Sequence, residues 1–217
     1  MKKFELTNEF ITNMFGTKLF RIRALVEFGD VEAGELGGYV EKESNLGHDD
    51  NAWVYDNAWV YGDAQVSGDA LVYDNARVYD NAWVYGDAQV SGDARVYGDA
   101  QVSGNALVCG NALVYDNAWV YGNALVCGDA RVCGNGDYAY AHGFGSVNRT
   151  TTFFRLKDGG VGVRCGCFYG TLAQFRDKIR ETHGESAIAE EYLMLADLME
   201  LRFEEDENEV GNRKYVE

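Results

Sequence analysis

The chain has 217 residues, with 35 Asp and Glu against 19 Lys and Arg and a formal net charge of −16. That acidity excludes direct binding of nucleic acid or an anionic membrane through the bulk surface, and it suits a basic partner. No apolar run reaches membrane-spanning length, Met1-Lys2-Lys3 does not open a signal-peptide core, and five cysteines of scattered spacing fit a reducing compartment, so a cytoplasmic location is expected.

Residues 1–35 read as an N-terminal strand and cap segment, in which Leu19–Leu25 alternates in part like a strand. The stretch from Gly34 to Val40 then enters a repeat. Val40 and Leu46 precede Ala52 in steps of six, which predicts one or two degenerate units closing the first turn. A stack of this kind needs an atypical end, because a bare end exposes core and free strand edges.

From Asn51 to Gly134 fourteen six-residue units follow without a break, each reading Asn/Asp, Ala, any residue, Val, any residue, Gly/Asp. Residues two apart share one side of a strand, so Ala and Val face inward and the residues flanking Val face out. A strand of three residues and a turn in every six is too tight for hairpins and suits three short strands per coil in a parallel β-helix. The pairs between strands are Gly-Asp, Gly-Asn or Asp-Asn, and Gly and Asn accept left-handed backbone at low cost, Asp somewhat less well. The absence of Pro fits a backbone whose donors are committed to ladders.

Beyond Gly134 the pattern decays through Tyr138–His142. Thr151–Arg155 and Val161–Cys167 read as two strands joined at Lys157-Asp158-Gly159-Gly160. A helix follows with Thr171 as N-cap, Gln174 as its capping-box partner and Gly184 as its end. A second helix spans about Ala187 to Phe203, its buried face formed by Ile188, Tyr192, Leu195, Leu198, Met199 and Phe203. The expected organisation is 1–35 cap, 36–136 β-helix, 137–203 hairpin and helices serving as cap or dimer contact, and 204–217 acidic tail.

The units resemble the hexapeptide repeats of left-handed β-helix proteins, an architecture shared by many bacterial acyltransferases, and most closely a variant found among bacterial and phage hexapeptide proteins. The resemblance covers residues 36–134. It implies a mainly β, single-stranded, left-handed helix of about five coils. The Gly lies two residues after the inward aliphatic, where the commoner form has it one after.

Three units per coil set residues eighteen apart one above another, about 4.8 Å apart, and sort the outward residues into three faces. The second face, with Trp59, Tyr61, Arg77, Tyr79, Arg95, Tyr97, Tyr115 and Arg131, is the candidate binding face. Arg77 and Arg95 are the only cations in the first thirteen units, and arginine beside aromatic rings can hold a planar group together with its phosphate or carboxylate. The plain alternative is that stacked aromatic rings simply suit a β surface. On the first face Leu107 and Leu125 form an apolar strip, which predicts packing against another chain or the C-terminal segment.

Acyltransferases of this architecture are usually trimers with a catalytic His near a subunit interface. The fourteen units hold no His. His48 falls where a core aliphatic would stand if the step of six continued backward, which suggests an end-cap role. His183 adjoins a helix end, and His142 is the remaining catalytic candidate. Cys165 and Cys167 share one side of a strand but lack the further ligands a metal would need. Cys109 and Cys127 stand on adjacent rungs within disulfide distance, and a reducing compartment predicts free thiols. The functional expectation is a non-catalytic scaffold without cofactor, forming dimers or trimers. It would be phage-associated and would sequester a host factor or a small anionic, nucleotide-like ligand. An acyl-CoA-dependent acyltransferase, an acidic nucleic-acid mimic and an assembly module are the alternatives.

Overall fold

The computed structural model describes residues 2–213, with side chains through Glu204. Three antiparallel strands open the chain, β1 (Phe4–Thr12), β2 (Lys18–Ala24) and β3 (Leu36–Val40), followed by a 3-10 turn at Glu43–Asn45. Each six-residue unit then contributes one two-residue strand ending on its Val. β4 (Trp53–Val54), β7 (Leu71–Val72), β10 (Gln89–Val90), β13 (Leu107–Val108) and β16 (Leu125–Val126) form the first face. β5 (Trp59–Val60), β8 (Arg77–Val78), β11 (Arg95–Val96), β14 (Leu113–Val114) and β17 (Arg131–Val132) form the second, which β3, β2 and β1 extend to eight strands. The third holds β6 (Gln65–Val66), β9 (Trp83–Val84), β12 (Gln101–Val102) and β15 (Trp119–Val120). The pairing is parallel with partners eighteen apart, such as Val90 with Val72 and Val108. The chain is therefore a three-sided β-solenoid of about five turns, as the spacing predicts.

Every repeat Ala and Val is fully buried, and together they form one continuous core. A buried Val contributes about 1.5–3 kcal/mol, an upper bound when read from the folded state alone. The left-handed backbone falls on the last residue of each unit from Asp56 through Gly128, with φ between +50° and +71° for the Gly and Asp that occupy it. Within the repeat the non-glycine residues there are Asp56, Asp74, Asp80 and Asp116, and Asn never takes the position. The carboxylate offsets the conformational cost by accepting from a corner amide one coil on. Gly92 N donates to Asp74 Oδ2 at 2.9 Å, and Gly98 N to Asp80 Oδ2 at 3.4 Å. Asn occupies the next position, where Asn81 and Asn111 donate their amides to Asp99 and Asp129 at 3.0 and 3.1 Å.

The main-chain bonds between coils impose a polarity. In each unit the residues flanking Val and the corner residue donate to carbonyls of the following coil, as in Trp53 to Ala70, Tyr55 to Val72 and Asn57 to Asp74. The first coil thus offers carbonyls outward, and the last offers mainly amides. At the first end Lys3 Nζ donates to the carbonyls of Ala52 at 2.9 Å and Asp50 at 3.2 Å, and Asn45 Nδ2 donates to those of Gly62 and Ala64. At the last end acceptors arrive. Thr152 Oγ1 takes Leu125 N, Asn135 Oδ1 takes Trp119 N, and Asp137 Oδ2 takes Cys133 N and Gly134 N.

The N-terminal flank differs from the reading in steps of six. Val40 pairs with Val60, and Leu46 bridges Val66, each twenty residues apart, so the first coil carries two extra residues. Counting back from Val54 therefore misplaces His48. It does cap the end, but by stacking on Phe4 at 4.5 Å and bonding Glu43, not by filling a core slot. β1 was not anticipated. With Phe28 it buries Trp53, whose position on the first face would otherwise be exposed.

Beyond the solenoid the expected hairpin is the centre of a four-stranded antiparallel sheet, β18 (Tyr138–Phe144), β19 (Arg149–Arg155), β20 (Val161–Cys165) and β21 (Phe168–Thr171). Cys165 and Cys167 do not share a strand. Gly166, at φ +57°, turns the chain between β20 and β21, leaving Cys167 exposed. α1 (Leu172–His183) carries the expected Thr171/Gln174 capping box and ends at Gly184. α2 (Ala187–Arg213) runs on past Phe203. Leu198, expected on its buried face, is exposed, and Ala189 and Ala196 are buried there instead. The expected acidic tail thus begins inside α2, and its last residues, 214–217, lie outside the described residues.

Burial lowers the Lys3 ammonium to about 8, against the nearby Asp50, Asp49 and Asp69, which raise it. Between that value and the ordinary one near 10.5, the unfolded chain holds a proton that the folded chain has released. Stability therefore rises as pH climbs from about 8 toward 10. Urea titrations should show this rise in the native protein and lose it in Lys3→Met. Asp137→Ala strips Cys133 and Gly134 of their acceptor and should lower stability by about 1–2 kcal/mol in the same assay.

Candidate binding face

The second face places its outward residues in two columns. One runs Tyr39, Trp59, Arg77, Arg95, Leu113, Arg131, each the backbone partner of the next. The other holds Tyr61, Tyr79, Tyr97 and Tyr115. Their rings follow one another at 5.0, 4.9 and 5.2 Å and lie within 8° of parallel. The regular backbone repeat produces this ladder, since identical side chains on successive rungs adopt the same rotamer at the rung spacing.

The arginines differ in what engages them. Arg77 lies over the Trp59 ring at 4.3 Å. Arg95 stands beside it on the next rung, exposed. Among the described residues no carboxylate pairs with either. Arg131 is turned back on the chain, donating to the carbonyls of Asn111 and Ala130 at 3.0 and 2.8 Å. It sits two coils beyond Arg95, with Leu113 between, so the eight candidate residues resolve into a compact set around Arg77 and Arg95 with Arg131 at its margin.

The step-of-six count missed the extension of this column into the cap. Tyr39 continues it below Trp59, carrying Arg21 over its ring at 5.3 Å and a bond to Glu9. The two-residue insertion hides the register, and only the Gly-Gly before Tyr39 hints at it. Gly37 and Gly38 permit the close approach, since a Cβ on Gly38 would lie 2.7 Å from the Ala58 carbonyl.

Burial in the stack holds the Tyr79 and Tyr115 hydroxyls up at about 12. For Tyr79 the neighbouring rings of Tyr61 and Tyr97 add to it, and for Tyr115 the Cys133 thiol does. Tyr61 and Tyr97 are also raised, chiefly by burial, with arginines opposing the shift. The ladder is thus a neutral hydrogen-bonding strip beside two guanidinium groups, suited to a planar ligand with an anionic substituent.

The remaining candidates lie elsewhere. His142 is exposed on β18 and bonds Thr150 Oγ1 at 2.9 Å. Cys109 and Cys127, expected to be free, are joined as a disulfide, since stacked rungs bring their Cα atoms to 4.6 Å. The first-face strip near Leu125 meets the C-terminal sheet, where Tyr169 also reaches Asp129 N. Among the described residues no three His, Cys, Asp or Glu side chains converge as a metal site.

A family model described as YdcK beta solenoid repeat matches residues 64–76, 72–86, 88–104, 100–114 and 108–122. The matched stretches all lie within the coils that carry this face, and they agree with a repeat β-solenoid. None of the curated proteins compared with the chain matches it.

In the folded protein Tyr79 and Tyr115 keep their protons to about 12, whereas unfolded tyrosine releases them near 10. Stability should therefore fall as pH rises through that window. Absorbance near 295 nm should show a tyrosine class titrating late, and Tyr79→Phe should reduce its amplitude.

Proposed function

We propose that the protein is a non-catalytic binding scaffold whose second face holds a planar, anionic, nucleotide-like group. The observation that carries this reading is the Arg77 and Arg95 pair. Two like charges occupy adjacent rungs with no described carboxylate between them, in a chain with sixteen more acidic than basic groups. Like charges directly opposite one another disfavour a sheet, so their placement supports a role that an anion completes. The tyrosine ladder beside them supplies ring faces and hydroxyl donors. Guanidinium groups recognise phosphate by paired donors as well as charge, which a lysine at these positions would not reproduce. On this reading the scaffold sequesters a small nucleotide-like signal, or a host factor that presents one, in line with the resemblance to phage-associated solenoids.

The corner aspartates support this reading over mimicry of a nucleic-acid backbone. Several of their carboxylates already accept bonds from an adjacent coil, and Asn alternates with Asp along the column 63, 81, 99, 117.

Calorimetry with AMP as probe tests the proposal. Saturable binding is expected. Arg77→Ala with Arg95→Ala should weaken it by about 10- to 100-fold, the range for lost bonds to a charged group. Undiminished binding in the double variant would remove the face from the function. Acetyl-CoA serves as the comparison ligand. A thermal shift with it that disappears in His142→Ala would replace this reading by acyl transfer.

A further inference from the structure

A second site stands apart from the solenoid faces. Between the turn end of the C-terminal sheet and α1 lies a cavity of about 270 Å³. Its floor is apolar, built from Phe168, Phe175, Ile179 and Tyr192, the last three nearly fully buried. Phe175 meets Phe168 at 5.4 Å and Tyr192 at 5.8 Å, which fixes the rings. Its rim carries Arg149, Lys178 and His183, and among the described residues no Asp or Glu lines it. In a chain this acidic, a cavity lined by basic side chains and no described carboxylate is a selective environment.

The three basic side chains are not equivalent. His183 closes the last turn of α1, where a basic group suits the carbonyl end of a helix, and Lys178 stands mid-helix. Lys178 is also paired with Glu181 at 2.7 Å, and His183 stacks on Tyr192 at 5.9 Å. Glu191, on α2 beside Tyr192, accepts from Gly145 N. Arg149 comes from β19, has no helix end to serve, and among the described residues has neither carboxylate nor carbonyl partner. It lies over the Gly166 turn, where a Cβ would stand 2.0 Å from its Nη1, so the glycine leaves the space the guanidinium fills.

We infer that this cavity binds a small carboxylate with an apolar body, the ring or short chain on the aromatic floor and the carboxylate on Arg149, with Lys178 adding to the field and His183 offering a ring nitrogen at the rim. Guanidinium and carboxylate match as a bidentate pair, and an apolar cavity with a few convergent polar groups is the usual form of a small-molecule site. At about 30 Å³ per water-sized group, the volume admits roughly nine heavy atoms, the size of benzoate or hexanoate. This inference does not depend on the arginine and tyrosine face.

The test is calorimetry on the whole chain at neutral pH with benzoate and hexanoate, each beside its neutral amide, benzamide and hexanamide. At least one carboxylate should bind saturably, its amide about tenfold or more weaker, and Arg149→Gln should weaken the carboxylate by a similar factor. Arg77→Ala with Arg95→Ala should leave this binding unchanged, which separates the two sites. Absence of saturable binding by both carboxylates, or amide binding equal to that of the acid, overturns the inference. So does full affinity in Arg149→Gln. The amide comparison uses the unaltered protein, so a folding defect in the variant would not shield the claim.

Discussion

The hydrogen bonds that pass from each coil to the next organise the rest of this protein. Because all repeat strands are parallel and in register, the amides flanking each Val look toward one end of the stack and meet the carbonyls of the following coil. The rod therefore has two chemically different ends, and each is finished in kind. The first is closed by donors, the Lys3 ammonium and the Asn45 amide, and the last by acceptors, Thr152, Asn135 and Asp137. Buried polar groups left without partners are expensive, so such a stack requires unlike flanking segments. The different N-terminal and C-terminal pieces follow from the ladder.

The same ladder explains the corners. A left-handed residue ends each unit from Asp56 through Gly128, and Gly supplies it freely. Asp is admitted because its carboxylate can reach the corner amide one coil on, a bond that exists only in the stack. Asn, which tolerates this backbone at least as well in isolation, is used one residue later, where its amide bridges rungs. The preference is thus set between coils and not within one turn. Much of the acidity of the solenoid is structural for this reason, and the departures from it, Arg77 and Arg95, are the more informative charges on the rod.

Strict repetition also turns single side chains into surfaces. One Tyr per coil becomes a parallel ladder whose members shield each other, which raises their hydroxyls as a group. Two arginines on the same side of adjacent coils become a pair held at the rung spacing, with no salt bridge among the described residues to order them. The C-terminal unit works differently. Its cavity is shaped by residues from β19, β20, β21, α1 and α2, which no period relates.

By itself the sequence determined the three-sided solenoid, the inward Ala and Val, the assignment of outward residues to faces, and the α1 capping box. Each rests on local spacing that repeats or on a short cap motif, and local spacing survives folding unchanged. The tertiary structure alone decided the twenty-residue first coil, the covering of Trp53 by β1, the strands β18 and β21, the joining of Cys109 to Cys127, and the setting of Arg149 over Gly166. These depend on groups distant in the chain competing for the same space and the same unpaired amides and carbonyls. A two-residue insertion that leaves no mark in composition shifts the whole cap, because what fixes it is the next free bond on the end of the stack and not the count of residues leading to it.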